Sequence, residues 1–145
     1  MKTSTKQWVG VVLGVAFTLA APAAALADVV PVVSAKSSID HLSRKDLADI
    51  FLGRTTRSPD GAPVVPVDQD ESSTTRDEFY TTFLGKTPAQ LRAYWSKIIF
   101  TGRGRPPPTV PDAAAARKLV ATNPHAIAYV ERNQLDSTVK PVRIE

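Results

Sequence analysis

Val29-Val30-Pro31-Val32-Val33 decides the fold, because this short run of mostly β-branched residues predicts a buried opening strand. Ala126 to Val130, with the sequence AIAYV, predicts another strand near the end of the chain. Val64 to Val67 predicts a short strand between them, and Val139 to Ile144 predicts a last strand that Pro141 places at a sheet edge. The chain therefore supplies several short strands that are far apart in sequence.

Helical segments separate these strands, and each starts at a residue that can cap its first turn. In the segment after the opening strand, Leu47, Ile50 and Phe51 share one face, and Gly53 is positioned to end the helix. The predicted helix starts are Ser43, the stretch from Ser72 to Thr74, Thr87 and Asp112. Strands alternating with helices predict an α/β fold of three layers, with a mostly parallel sheet covered by helices on both faces.

The N-terminal segment has the pattern of a secretory signal peptide. Met1 to Gln7 is short and basic, Trp8 to Ala20 is apolar, and Ala25-Leu26-Ala27 offers small residues for cleavage before Asp28. The alternative is an uncleaved membrane anchor, since the apolar stretch approaches the length that spans a bilayer. Pro22 and the cleavage motif favour the signal peptide. We therefore expect residues 1–27 to be removed and the exported protein to contain no membrane span.

Composition restricts both the size of the protein and its chemistry. The chain has 145 residues, no Cys and two His, so one domain (residues 28–145) is expected. Disulfides, thiolate metal sites and a Cys nucleophile are excluded, and most zinc chemistry is disfavoured. The net charge of +4 falls to +2 once Lys2 and Lys6 are set aside, which does not indicate a nucleic-acid partner. We predict no cofactor and no bound metal.

The strand Val64 to Val67 leads into a helix start that is rich in hydroxyl groups. The candidate ligand-binding residues there are Ser72, Ser73, Thr74, Thr75 and Arg76. Unpaired N–H groups at a helix start and the helix dipole favour a negative ligand, so this corner predicts an oxyanion cradle. The alternative is that Ser and Thr are ordinary helix caps. Asp68, Asp70 and Glu71 would also repel an anion unless a basic side chain compensates.

Several short motifs, taken in order, resemble phosphate-binding proteins of ABC uptake systems. The motifs are DIFLG at Asp49 to Gly53, RDEF at Arg76 to Phe79, YW-x-K-x-x-F-TG at Tyr94 to Gly102, and NP-x-AI-x-YV at Asn123 to Val130. The chain is most similar to the short, stand-alone members of that group. The resemblance extends from about Val29 to Val142 and implies one lobe of a type II periplasmic binding protein, located in the periplasm.

The resemblance also implies which residues contact phosphate. Full-length members use a Ser-Gly-Thr at a helix start, which Ser72-Ser73-Thr74 resembles, and an Arg slightly earlier, near the position of Asp68. Loss of that Arg removes a strong bidentate donor, for which Arg76 is the candidate replacement. The family's glycine-rich first loop corresponds to the stretch around Lys36. The further candidates in that loop are Ser34, Ser37 and Ser38.

Two functions follow from these observations. The first is an exported solute-binding protein that holds phosphate or a similar oxyanion without catalysis and works with the membrane component of an ABC transporter or another envelope protein. The second is a one-lobe interaction or scaffold module of the cell envelope that no longer binds phosphate. An enzyme is not expected, because no nucleophile–base pair, metal constellation or phosphate loop is present in the sequence.

Overall fold

The computed structural model describes residues 28–145, so the predicted signal peptide lies outside the described residues. The strands are, in chain order, β1 (Val29–Ser34), β2 (His41–Leu42), β3 (Val65–Pro66), β4 (Asp68–Gln69), β5 (Thr109–Val110), β6 (Ala126–Glu131), β7 (Val139–Pro141) and β8 (Arg143–Ile144). The helices are α1 (Arg44–Phe51), α2 (Thr74–Phe79), α3 (Pro88–Phe100) and α4 (Ala113–Thr122). A π turn at Tyr80–Leu84 extends α2, and a 3-10 turn follows β6 at Arg132–Gln134.

A mixed four-stranded sheet lies at the centre of the described chain, with the strand order β3-β6-β1-β7. Strand β1 pairs antiparallel with β6, where Val32 lies opposite Ala128, and antiparallel with β7. Strand β3 pairs parallel with β6. The expected α/β fold is therefore confirmed. Three of the four strands share one direction, but β1 lies between β6 and β7, so two of the three pairings are antiparallel and the sheet is mixed. Strand β1 runs antiparallel to β3, β6 and β7. The connection from β1 through α1 to β3 therefore starts and ends at the same end of the sheet.

Helices cover both faces of the sheet and give the three predicted layers. Alternate residues of β1 point to opposite faces, as strand geometry requires, so Val29 and Val33 join one buried cluster while Val30 and Val32 join another. The first cluster lies under α1, α2 and α3. The second lies under α4. All six residues of β1 are buried, which places the opening strand at the middle of the molecule.

Small side chains bring α4 close to the sheet. Ala113 and Ala116 of this helix are buried against a cluster that includes Ala126 and Ala128 of β6. On the other face of β6, Tyr129 packs into the larger aromatic cluster. The Tyr129 ring stacks on Phe79 of α2, with 4.0 Å between ring centroids. The sequence AIAYV places small alanines on one face of β6 and larger side chains on the other. Helix α4 therefore packs close to the first face, and a thicker aromatic layer covers the second.

The helix boundaries follow the capping residues. Ser43 accepts a hydrogen bond from the backbone N–H of Asp46 at the start of α1, and Thr87 forms a capping box with Gln90 at the start of α3. The helical stretch after Ser73 ends at Gly85, whose φ of 64° is the left-handed value expected of a terminating glycine. Among the described residues, no helix combines the length and apolar character needed to cross a bilayer.

Candidate functional site

The helix start predicted as an oxyanion cradle is built from a short strand and a capped first turn. Strand β4 pairs in parallel with β5 and leads through a turn to Ser73, the cap of α2. The Ser73 hydroxyl accepts from the backbone N–H of Arg76 at 3.2 Å and donates to the Gln69 side chain at 2.8 Å. The hydroxyl of Ser73 is therefore committed inside the protein, as the alternative of an ordinary helix cap requires.

Asp68 accepts hydrogen bonds from the side chains around this helix start. Its Oδ2 accepts from Nε of Arg76 at 3.3 Å and from the Tyr80 hydroxyl at 2.9 Å. Its Oδ1 accepts from the Tyr129 hydroxyl and also from the backbone N–H of Gln69, the latter at 2.9 Å. The side chains of Asp68 and Arg76 are only 2% and 8% exposed. The chain thus provides its own carboxylate where a phosphate oxygen would meet Arg76.

Burial and the charge of Asp68 shift the pKa values of Arg76, Tyr80 and Tyr129. Burial is the largest single effect on the pKa of Arg76 and lowers it, but the charge and hydrogen bond of Asp68, together with Tyr80 and Tyr129, outweigh burial and the pKa is raised. Burial raises the pKa of the Tyr80 hydroxyl well above its usual value, and the Asp68 charge acts in the same direction. The pKa of Tyr129 is raised by the same two causes. Arg76 therefore stays charged, and both tyrosines stay protonated as donors to the carboxylate.

A second carboxylate engages the next candidate residue. Thr75 donates its hydroxyl to Oε1 of Glu131 at 3.0 Å. Glu131 is the last residue of β6, so the pairing of β6 with β1 delivers this carboxylate to the first turn of α2. Of the five candidates in this stretch, Ser73, Thr75 and Arg76 are thus bonded to groups of the protein. The hydroxyls of Ser72 and Thr74 have no hydrogen-bond partner within residues 28–145.

A cleft of about 390 Å³ lies where the N-terminal ends of α2 and α4 meet. It is lined by Gln69, Ser72, Ser73, Thr74, Thr75, Pro111, Asp112, Ala113, Ala114, Glu131 and Gln134. Asp112 and Glu131 are its charged lining residues, and no basic side chain is among the described groups that line it. We call this feature the α2–α4 cleft, and its charge is negative.

An adjoining cleft shares the same acidic wall. It has a volume of about 670 Å³ and includes Thr74, Thr75 and Glu131, together with Asp28 and Glu78. Glu78 accepts a hydrogen bond from the backbone N–H of Asp28 at 3.1 Å. Arg132, which is engaged in an interaction of its own, also lines this cleft. Carboxylates therefore outnumber basic side chains among the described lining residues of both clefts.

The second set of predicted residues is not brought to this corner. Ser34 and Ser37 are buried, and their hydroxyls accept local backbone hydrogen bonds, from Lys36 and Ile39 respectively. Ser38 lines a separate cavity of about 350 Å³ whose walls include Asp40, Asp46 and Asp60. No group of three or more His, Asp or Glu residues within 28–145 is arranged to hold a metal ion. This loop and the α2 start therefore do not form one binding site.

Sequence patterns gave no signal for two members of the network. Tyr129 lies within the predicted strand AIAYV and Glu131 directly follows it, and no motif marks either residue as part of a polar site. They contact Asp68 and Thr75 across 61 and 56 positions of sequence. The available hint was Asp68, close to where the resemblance leads one to expect an Arg, because a buried acid needs basic and hydroxyl groups around it.

The fold is similar to those of phosphate transport proteins at low sequence identity. A Clostridium perfringens protein described as a phosphate ABC transporter substrate-binding protein, solved with bound phosphate, matches with a TM-score of 0.63 and 20% identity over 81% of this chain and 44% of its own. An ABC-type phosphate transport receptor from Vibrio cholerae matches at 0.61 and 20%, over 81% and 46%. PstS from Borrelia burgdorferi matches at 0.60 and 17%, over 81% and 47%.

These similarities are limited to structure. No protein-family model and no curated protein matches the sequence. The chain spans less than half the length of each of the three solved proteins. The comparison therefore shows a fold, an α/β arrangement similar to that of part of each of these proteins.

Proposed function

We propose that this chain is a non-catalytic, one-lobe interaction module that keeps the architecture of a phosphate-binding lobe but no longer holds phosphate at α2. One observation carries the proposal. Two carboxylates of the chain, Asp68 and Glu131, accept hydrogen bonds from Arg76 and Thr75. Groups that would have to donate to a bound oxyanion are therefore already paired with internal anions.

The energetic balance at this corner also opposes phosphate. A helix N-terminus favours an anion by about 0.3–1 kcal/mol, and by about 2 kcal/mol in partly buried sites. A like charge at about 4 Å costs about 4 kcal/mol per pair of unit charges at the effective dielectric near a protein surface. Arg76 is paired with Asp68, and none of the described residues that line the α2–α4 cleft is a basic one that would offset Glu131 and Asp112. An oxyanion within about 4 Å of either carboxylate would therefore meet a repulsion larger than the attraction of the helix start.

The negative charge of the two clefts suits a partner that presents lysine or arginine side chains. Asp28, Glu78 and Glu131 line one cleft, and Glu131 continues with Asp112 into the other. We propose an envelope protein as this partner, with the membrane component of an ABC transporter as one member of that class. Export and a periplasmic location belong to the same proposal and are supported by the N-terminal sequence pattern.

Binding of a small oxyanion at residues 72–76 is the second candidate function. Two observations favour it. The hydroxyls of Ser72 and Thr74 have no partner within residues 28–145, and the fold is similar to that of a protein solved with bound phosphate. In this case the ligand would contact the outer edge of the helix start, since Arg76 is buried.

Calorimetric titration of inorganic phosphate separates the two candidates. We expect no heat of binding at millimolar phosphate for the wild-type chain or for the control variant Glu145→Gln, which removes a distant charge. Glu131→Gln removes the repulsion in the cleft and tests whether it alone prevents binding. Saturable binding by the wild type that Glu131→Gln strengthens and Glu145→Gln leaves unchanged would establish the oxyanion function and reject ours.

Site-specific photo-crosslinking tests the interaction itself. A photoreactive residue at Ser72, on the rim of the α2–α4 cleft, should capture one defined envelope protein in cells. The same residue placed at exposed Thr122, at the far end of α4 from the cleft, provides the matched control. Capture at Ser72 that Glu131→Lys abolishes supports the acidic cleft as the interface. Absence of any product specific to Ser72 would reject the proposal even if phosphate does not bind.

A further inference from the structure

Charge is segregated along this chain. Between residues 79 and 111 there are five basic residues and no acidic one. The remainder of residues 28–145 has more acidic than basic residues. The basic segment contains α3 and the loop that follows it, whereas the acidic clefts lie at the start of α2. The basic segment and the acidic clefts therefore belong to different elements of the fold.

Two apolar side chains are exposed at the end of α3. Phe100 is 91% exposed and Ile99 is 56% exposed. Helix α3 already packs on the core through Leu91 and Trp95, which are buried. A large aromatic side chain held almost wholly in water contributes little to folding, and beside a second exposed apolar side chain it offers a small patch for another contact.

Exposed basic residues flank this apolar pair along the chain. Lys97 precedes it on the helix, and Arg103 and Arg105 follow it in the loop, all three exposed. We call these three residues together with Ile99 and Phe100 the basic tip. A turn fixes its shape: the N–H of Gly102 donates to the carbonyl of Ile99 at 3.1 Å, and that of Arg103 donates to the carbonyl of Ile98 at 3.1 Å.

We propose that the basic tip binds an anionic lipid surface. Phe100 and Ile99 enter the interfacial region of the bilayer, and the basic groups contact lipid phosphates. An aromatic and an aliphatic side chain beside several Lys and Arg residues is the combination that binds such interfaces. The apolar part consists of two side chains, far below the roughly 800 Å² that a standard protein partner covers on each side. This contact is separate from the acidic clefts and does not depend on whether phosphate binds.

Vesicle flotation tests the inference with the full chain, expressed with its own N-terminal segment and then purified. The vesicles contain phosphatidylglycerol and phosphatidylcholine in equal parts, or phosphatidylcholine alone. We expect partitioning to the anionic vesicles that exceeds partitioning to the neutral ones and falls in high salt. Since each basic group contributes about 1 kcal/mol near an anionic surface, Arg103→Gln/Arg105→Gln should lower partitioning about 30-fold. Phe100→Ser should lower it about tenfold or more.

Matched controls are available on other surfaces. Leu119→Ser removes an exposed apolar side chain of α4, and Lys118→Gln/Arg143→Gln removes two exposed charges; both should partition like the wild type. Equal binding to neutral and anionic vesicles, or no effect of the tip variants, would overturn the inference. Concentration-dependent dimerisation that Phe100→Ser abolishes, without vesicle binding, would instead assign the tip to a second copy of the chain.

Discussion

Replacement of Asp68 by asparagine tests whether the corner at α2 is closed by the protein's own charges. The carboxylate accepts at Oδ2 from Arg76 and Tyr80, and at Oδ1 from Tyr129 and the Gln69 N–H. An asparagine amide keeps one acceptor oxygen, but the nitrogen that replaces the second oxygen cannot accept. Two donors therefore lose their acceptor, and a guanidinium that is 8% exposed loses its counter-charge.

The expected loss of stability in Asp68→Asn follows from the burial of the Asp68–Arg76 ion pair. Removal of one partner of a buried ion pair destabilises proteins by about 3–5 kcal/mol, because the remaining charge stays desolvated without compensation. We expect Asp68→Asn to lower the free energy of unfolding by that amount. Asp70→Asn changes the same type of residue at an exposed position nearby and should stay within about 0.5 kcal/mol of the wild type.

Urea unfolding followed by tryptophan fluorescence measures both variants. The double variant Asp68→Asn/Arg76→Met should be more stable than Asp68→Asn alone, since no unpaired charge then remains in the interior. A loss of less than about 1 kcal/mol in Asp68→Asn would refute the reasoning. Such a result would mean that Arg76 reaches solvent and is free to bind an anion, which would favour phosphate binding over the interaction module.

Two further predictions concern the ionisation of two tyrosines and a glycine with a positive φ. The raised pKa values of Tyr80 and Tyr129 make folding favour their protonated forms, so stability is full below about pH 10 and falls above it by about 1.4 kcal/mol per pH unit for each tyrosine. Urea unfolding at several alkaline pH values should give a shallower slope for Tyr129→Phe; an unchanged slope would contradict the network. Gly53→Ala should cost about 1–2 kcal/mol, because φ is +70° and a Cβ would lie 3.3 Å from the Trp95 ring. Gly61→Ala, at φ +88° with open space, isolates backbone strain and should cost less in the same assay.

Local signals were sufficient for most elements of the fold. The buried β1, the helix that starts after Ser43 and the helix stop at Gly85 each depend on residues within a few positions of one another. Hydrogen bonds from caps and the left-handed conformation of glycine are short-range, so sequence spacing alone predicts them. The sequence pattern likewise predicted helices on both faces, because Val29 to Val33 is apolar on both sides of the strand.

Tertiary structure decided the direction of β1 and the state of the α2 corner. Whether Asp68 was held by further hydroxyl donors, and whether Thr75 met a carboxylate, depended on where Tyr129 and Glu131 arrived, and both are positioned by the antiparallel register of β6 against β1. Partners separated by more than fifty positions leave no periodic trace in the sequence. The chain alone therefore determined which groups are available at the helix start, and only the packed sheet determined that they are bonded to one another.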